Sequence, residues 1–279
     1  MRIRPVWHSM VSLLLVVGTQ VPQRLNAQGR GTAPPPGAPD LSRMPKSPKI
    51  PVGFDALFAE RDKRARGAVG YFACMQATVT ALRAGALGQV ARDWSITCIE
   101  QAGEWRGVFG SLRDGTIDVQ RQFAVRGSTT GVVTTDPVDT ARVNGSARAL
   151  LRGLSAPLPG AGRYEFTPVP LVQDKFVEVW FLPVPSSLFT AVVGGDSLIQ
   201  MSADGVRELG HGRSTPIIRT LSVPLSERSW SLKSLEERIP TVSELVLAHM
   251  ALARVPEIRV QTHQYESVLT TRGWTHRRK

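Results

Sequence analysis

Thr116-Ile-Asp-Val-Gln-Arg-Gln-Phe-Ala-Val125 is entered through Asp114-Gly115, and that junction decides the fold class. Ile117, Val119 and Arg121 alternate against Thr116, Asp118 and Gln120, which is the two-residue period of a strand. Asp-Gly is the dipeptide that closes a tight antiparallel hairpin. Upstream, Trp94, Ile96 and Cys98 alternate with Ser95, Thr97 and Ile99 over 94–101, and Trp105, Val108 and Phe109 mark 104–112. The three segments predict an antiparallel meander.

On the N-terminal side Phe54, Leu57, Phe58, Val69, Phe72, Met75, Val79 and Leu82 recur mostly at steps of three or four, with a break after Phe58. That spacing predicts a helical segment whose Asp55, Glu60, Arg61, Asp62, Lys63, Arg64 and Arg66 face water. Gly67 and Gly70 predict a split into two helices, since glycine in a helix interior costs about 1 kcal/mol against alanine. Gly85 and Gly88 mark the end.

On the C-terminal side a helix is expected over 136–154, started by Asp136-Pro137, with Val143, Ala147, Leu150, Leu151 and Leu154 inside and Gly153 near its end. Strands are expected over 164–172, 176–182, 197–202, 206–211 and 217–223, with Asp204-Gly205 as a hairpin turn. The stretch Phe176 to Leu182 is almost wholly apolar, as a strand covered on both faces is, and belongs mid-sheet. Thr241 and Glu244 have the spacing of a capping box at the start of a helix near 241–253. Strands over 257–263 and 265–271 follow, then a basic tail of Arg272, His276, Arg277, Arg278 and Lys279. The fold class is α+β: a helical N-terminal segment, antiparallel β meanders, and a helix between the late C-terminal strands.

The first 27 residues have a different character. Arg2 and Arg4 precede the apolar run Met10 to Gly18, and Leu25-Asn26-Ala27 ends on a small residue, the pattern of a cleaved signal peptide. An apolar run of about nine residues is half of what a membrane-spanning helix needs. A lipoprotein would carry cysteine after the cleavage site, where Gln28 stands. Residues 28–52, with Pro34 to Pro36, Pro39, Pro45, Pro48 and Pro51 among glycines, read as a disordered linker. The organisation is therefore signal peptide 1–27, linker 28–52, a helix-plus-meander region 53–158 and a β-rich region 159–279. Pro157, Pro159, Gly160 and Gly162 mark the boundary, and the two regions joining in one domain is the alternative.

Export changes how the composition is read. Losing Arg2, Arg4 and Arg24 takes the formal charge from +11 to +8. Outside the cytoplasm such a field meets an anionic envelope component or an envelope protein before it meets nucleic acid. Only six of the 34 basic residues are lysine, and asparagine occurs only at Asn26 and Asn144, a skew that reads as bacterial GC-rich codon usage. Cys74 and Cys98, an even pair in an oxidising compartment, predict a disulfide.

Chemistry is sparsely marked. There is no Gly-x-Ser-x-Gly elbow, no Ser-x-x-Lys, no His-Glu-x-x-His, no phosphate-binding Gly-x-x-x-x-Gly-Lys and no dinucleotide fingerprint. No metal or cofactor is expected. Candidate catalytic residues are His211, set in Gly210-His211-Gly212 before Arg213 and Ser214, and His263 with Glu266. His249 and Glu244, five apart on a helix, lie about 140° around its axis and share no face. Gly194-Gly195-Asp196 reads as a turn; Trp94, Trp105 and Trp180 read as core, while Trp230 and Trp274 are the candidates for exposed contacts. The function expected is a secreted or periplasmic non-catalytic binding module, the alternative being a hydrolase of unrecognised type using His211 or His263.

Overall fold

In the computed structural model the described residues are 53–85, 94–125, 131–155, 165–183, 190–213, 215–224, 227–236 and 238–279. The signal peptide and linker expected over residues 1–52, and the boundary expected around Pro157 to Gly162, lie outside them. Helix α1 (Phe54–Ala84) leads into an antiparallel sheet of β1 (Trp94–Gln101), β2 (Glu104–Arg113), β3 (Thr116–Val125) and β4 (Val132–Val133), in that order. Ala102-Gly103 and Asp114-Gly115 all have positive φ, so each joins its strands as a two-residue primed hairpin.

Helix α2 (Thr140–Leu154) follows, capped by Asp139, whose side chain accepts the Arg142 N–H. A second antiparallel sheet runs β5 (Phe166–Val172), β6 (Phe176–Pro183), β8 (Ser197–Ser202), β9 (Glu208–Arg213). β6 is interior, and Val177 to Pro183 are all buried. β7 (Thr190–Gly194) leaves that sheet to pair with β10 (Ile218–Ser222). The last sheet is β11 (Trp230–Lys233), β12 (Ile258–Gln261), β13 (Tyr265–Thr270) and β14 (Gly273–Arg278), with α3 (Val242–Ala251) between β11 and β12. Among the described residues no helix is long and apolar enough to cross a membrane.

Strand alternation decides what each face of the meander meets. Ile96, Cys98, Phe109 and Phe123 turn towards α1, where Leu82 packs on the two phenylalanines. Thr97, Ile99 and Val108 turn towards α2, against Val143 and Ala147. The meander is thus a layer between two helices. α2 presents a further side, Ala149, to Val177, Val179 and Phe181 of the second sheet. α3 covers the inner face of the last sheet through Ala248, Ala251, Ile258, Val260 and Leu269.

Several expectations are overturned. α1 is one unbroken helix of 31 residues. Its glycines are seats for neighbours: a Cβ on Gly70 would stand 2.3 Å from Trp105 Nε1, and one on Gly67 would stand 3.2 Å from Leu171 Cδ2. The buried line of α1 runs through Phe58, Asp62, Ala65, Ala68, Tyr71, Met75, Thr78 and Leu82, so small residues replace Val69 and Phe72 at the closest approach. The same holds on α2, where Gly145, Ser146, Ala149 and Gly153 are buried while Leu151 and Leu154 are exposed. The sheet is not antiparallel throughout, because α3 carries the chain over so that β11 and β12 run parallel. The basic tail is strand β14, in which Trp274 and His276 turn their rings to Phe58 of α1 and Thr275 and Arg277 take the opposite face, His276 itself remaining exposed.

Candidate functional site

Cys74 on α1 and Cys98 on β1 are disulfide-bonded, with Cα atoms 6.2 Å apart. Twelve residues before Cys74 a charged rung of α1 turns inward instead of towards water. Arg61 places Nη1 2.9 Å from the carbonyl oxygens of Ile239 and Pro240. Asp62 is buried. Arg64 grips Glu178 on β6 with Nε and Nη2, at 2.9 and 3.0 Å, and its guanidinium lies 5.9 Å over the Trp180 ring. Trp180 Nε1 donates to the same carboxylate, so Glu178 is satisfied although only 2 % exposed.

Asp62 gathers three elements. Its Oδ1 lies 2.6 Å from His249 Nε2 on α3 and 2.8 Å from Trp274 Nε1 on β14, and Oδ2 receives Arg66 Nε at 3.0 Å. Burial pushes this carboxyl up, but the His249 and Trp274 donors and the Arg66 charge outweigh it and hold the group below its ordinary value. An ionised carboxylate only accepts, which assigns a proton to His249 Nε2.

Beside this node, His276 Nδ1 lies 2.9 Å from Ser267 Oγ, its register partner on β13. The His276 ring meets Phe58 edge-on at 4.3 Å and stacks at 6.4 Å on Trp274. Burial lowers the His276 pKa, opposed by the charges of Asp55 and Asp62. The two imidazoles divide what a hydrolytic triad would combine: His249 has the acid, His276 has the serine, and Ser267 is fully buried.

A second buried node joins the β7–β8 turn to α3. Gly194 and Gly195 have positive φ, and a Cβ on either would meet Ile217 or Ile218 within 3 Å. The Gly194 N–H donates to Ser243 Oγ, and the Ser243 N–H donates to Asp196 Oδ2, both at 2.8 Å. Asp196 is fully buried, and burial pushes its carboxyl up to about 6 against the hydrogen bonds from Ser243. Glu244 forms the capping box with Thr241 and also accepts from Ser234 Oγ and the Leu235 N–H. Glu244 therefore turns to the helix start while His249 turns to Asp62.

The residues singled out from sequence do not assemble into one cleft. His211 is exposed on β9 and pairs with Glu208 at 2.9 Å. His263 is exposed in the β12–β13 turn. Glu266 is buried on β13, where it receives Gln261 Nε2 at 3.0 Å and pairs with Arg277. Trp230 is buried in the core under α3, and Trp274 is half-buried with its indole N–H spent on Asp62, so neither is the exposed platform expected. Asp62, Asp196 and Ser243 were missed because their partners are remote in sequence, and Ser267 because its partner His276, nine positions on, lay in a stretch read as a tail, although the capping-box spacing did point to Glu244.

On its outer face the last sheet carries a shallow depression lined by Glu257, Arg259, Glu266, Val268, Thr275 and Arg277. Its charges are arranged as pairs, Arg259 with Glu257 and Arg277 with Glu266. Among the described residues no group of three His, Cys, Asp or Glu side chains is placed to hold a metal ion. No family model matches the chain, and no curated protein or solved structure matches it either.

Proposed function

We propose that the chain is an exported bacterial protein, periplasmic or secreted, that acts as a binding module without catalysis. The observation that carries this reading is the division of its acid–base groups. Asp62 with His249 fastens α1 to α3, while Ser267 with His276 joins β13 to β14 within the last sheet, whereas nucleophilic catalysis needs nucleophile, base and orienting acid in one line. Rigidly held strands with a polar outer face are a suitable frame for recognition.

The Cys74–Cys98 bridge fits an oxidising compartment. The basic balance fits an anionic envelope component or an acidic envelope protein as partner. Cross-linking in intact cells, followed by affinity capture and intact-mass measurement, tests the reading. It expects an N-terminus at Gln28 and one recurrent partner. Retention of the first 27 residues on the exported chain, or the absence of any specific partner, counts against it. A hydrolytic activity lost on His249→Ala or His276→Ala would replace it with an enzyme.

A further inference from the structure

β14 is the outer strand of the last sheet, and among the described residues no strand pairs with its far edge. Its register against β13 runs without a bulge from Gly273 opposite Thr270 to Arg278 opposite Tyr265. The Lys279 N–H donates to the Gln264 carbonyl at 2.9 Å. Hydrogen-bonded and non-hydrogen-bonded pairs alternate along an antiparallel ladder, so the odd-numbered residues of β14 bond back to β13. The N–H and C=O groups of Trp274, His276 and Arg278 therefore point outward, as a row ready to pair.

The charge along this edge is one-sided. Arg272, Arg277, Arg278 and Lys279 fall within eight residues. Arg277 is answered by Glu266, and the Lys279 ammonium rests on the Thr262 carbonyl. No described acid pairs with the guanidinium of Arg272 or Arg278. Two copies placed edge to edge would set like charges against each other, which disfavours self-pairing. An extended segment rich in acids meets the opposite sign. Immediately beside the edge, the outer-face depression holds Val268 and Thr275 among two ion pairs, Arg259 with Glu257 and Arg277 with Glu266, so the unanswered positive charge is that of Arg272 and Arg278 on the edge itself. A free edge next to a face pocket is the geometry of strand addition, in which main-chain hydrogen bonds give affinity and alternate side chains give specificity.

We propose that β14 is a strand-addition edge that receives an extended acidic segment of a partner protein. The proposal rests on the binding-module reading and names its surface and the chemistry of its partner. The probe is a fluorescently labelled peptide Glu-Val-Glu-Thr-Glu-Val-Glu, titrated against the full chain by anisotropy at low salt. The same peptide N-methylated at alternate residues keeps its charge and loses the donors that pairing needs.

Binding of the plain peptide, weakened at least about tenfold by N-methylation, is expected. Arg278→Ala weakens binding about threefold through charge alone. Arg278→Pro, which also removes an outward N–H, weakens it at least about tenfold further, with far-UV circular dichroism and the disulfide unchanged. Equal binding of plain and methylated peptides, or binding of neither, overturns the proposal and leaves the arginines as a guard against aggregation. An envelope partner cross-linked to a different face would discard this edge while keeping the binding module.

Discussion

Asp62 and His249 stand 187 positions apart in the chain and 2.6 Å apart in space. With Trp274 on the same carboxylate oxygen, this contact ties α1 to α3 and β14. Asp62→Ala would leave two half-buried donors without their acceptor and destabilise the protein by about 2 kcal/mol. Chemical denaturation of Asp62→Ala, His249→Ala and the double variant should show a coupling of about 1–2 kcal/mol between the two positions. Additive losses would mean that the pair is incidental.

Gly70 and Gly67 separate two meanings of glycine in one helix. At Gly70 a methyl group collides with the Trp105 indole, 2.3 Å away, so Gly70→Ala should cost about 2 kcal/mol through overpacking. At Gly67 the neighbour is the tip of Leu171 at 3.2 Å. That flexible end can yield, and helix propensity adds up to about 1 kcal/mol, so Gly67→Ala should be neutral or stabilising. Thermal melting of the two variants decides it, and equal shifts would refute the distinction.

Both sulfurs of the Cys74–Cys98 bridge are fully buried. Replacing both cysteines with alanine should lower stability by about 3 kcal/mol, the effect of releasing a loop of this size. Dithiothreitol should expose reactive thiols only once denaturant opens the fold, which thiol titration against denaturant concentration measures. Rapid reduction under native conditions would contradict the burial.

Asp196 predicts an unusual pH dependence. Burial pushes its carboxyl from 3.8 up to about 6, so in that window the folded chain holds a proton that the unfolded chain has released. Stability therefore falls as pH rises through the window, by up to about 3 kcal/mol from this group. His276 acts in the opposite direction: burial lowers its pKa, so stability falls as pH drops below the ordinary imidazole range. Because His276 is common to both proteins, the difference between wild type and Asp196→Asn isolates the carboxyl. That difference should grow from pH 4 to pH 7 in favour of the asparagine variant, and a flat difference would reject the assignment.

Local rules reached far into the fold and stopped at its contacts. The Asp114-Gly115 hairpin, the interior strand β6 and the Thr241–Glu244 capping box are each written within a few residues, and each is realised. Gly70 was read as a break because propensity is local, while its reason is an indole 35 positions away. Asp62 was placed in water because a charged residue in a charged run resembles a solvent-facing rung. Nothing near it in sequence announces His249 or Trp274. β14 was read as a tail because its arginines mask the alternation of Trp274 and His276. β7 was missed because Ala191, Val192 and Val193 run without alternation into the turn read at Gly194-Gly195-Asp196, and β11 because Trp230 among polar residues read as an exposed contact.

α1 has a mechanical consequence. Asp62 and Cys74 are separated by about 18 Å along its axis and about 120° around it, and they are fastened to different elements, Asp62 to α3 and β14 and Cys74 to β1. A rod clamped at two heights and two bearings can neither slide nor roll. Shear and hinge displacement of the packed layers both require one of those freedoms, so these clamped elements respond to a load as one stiff body, with compliance confined to side chains and strand edges beyond the clamps.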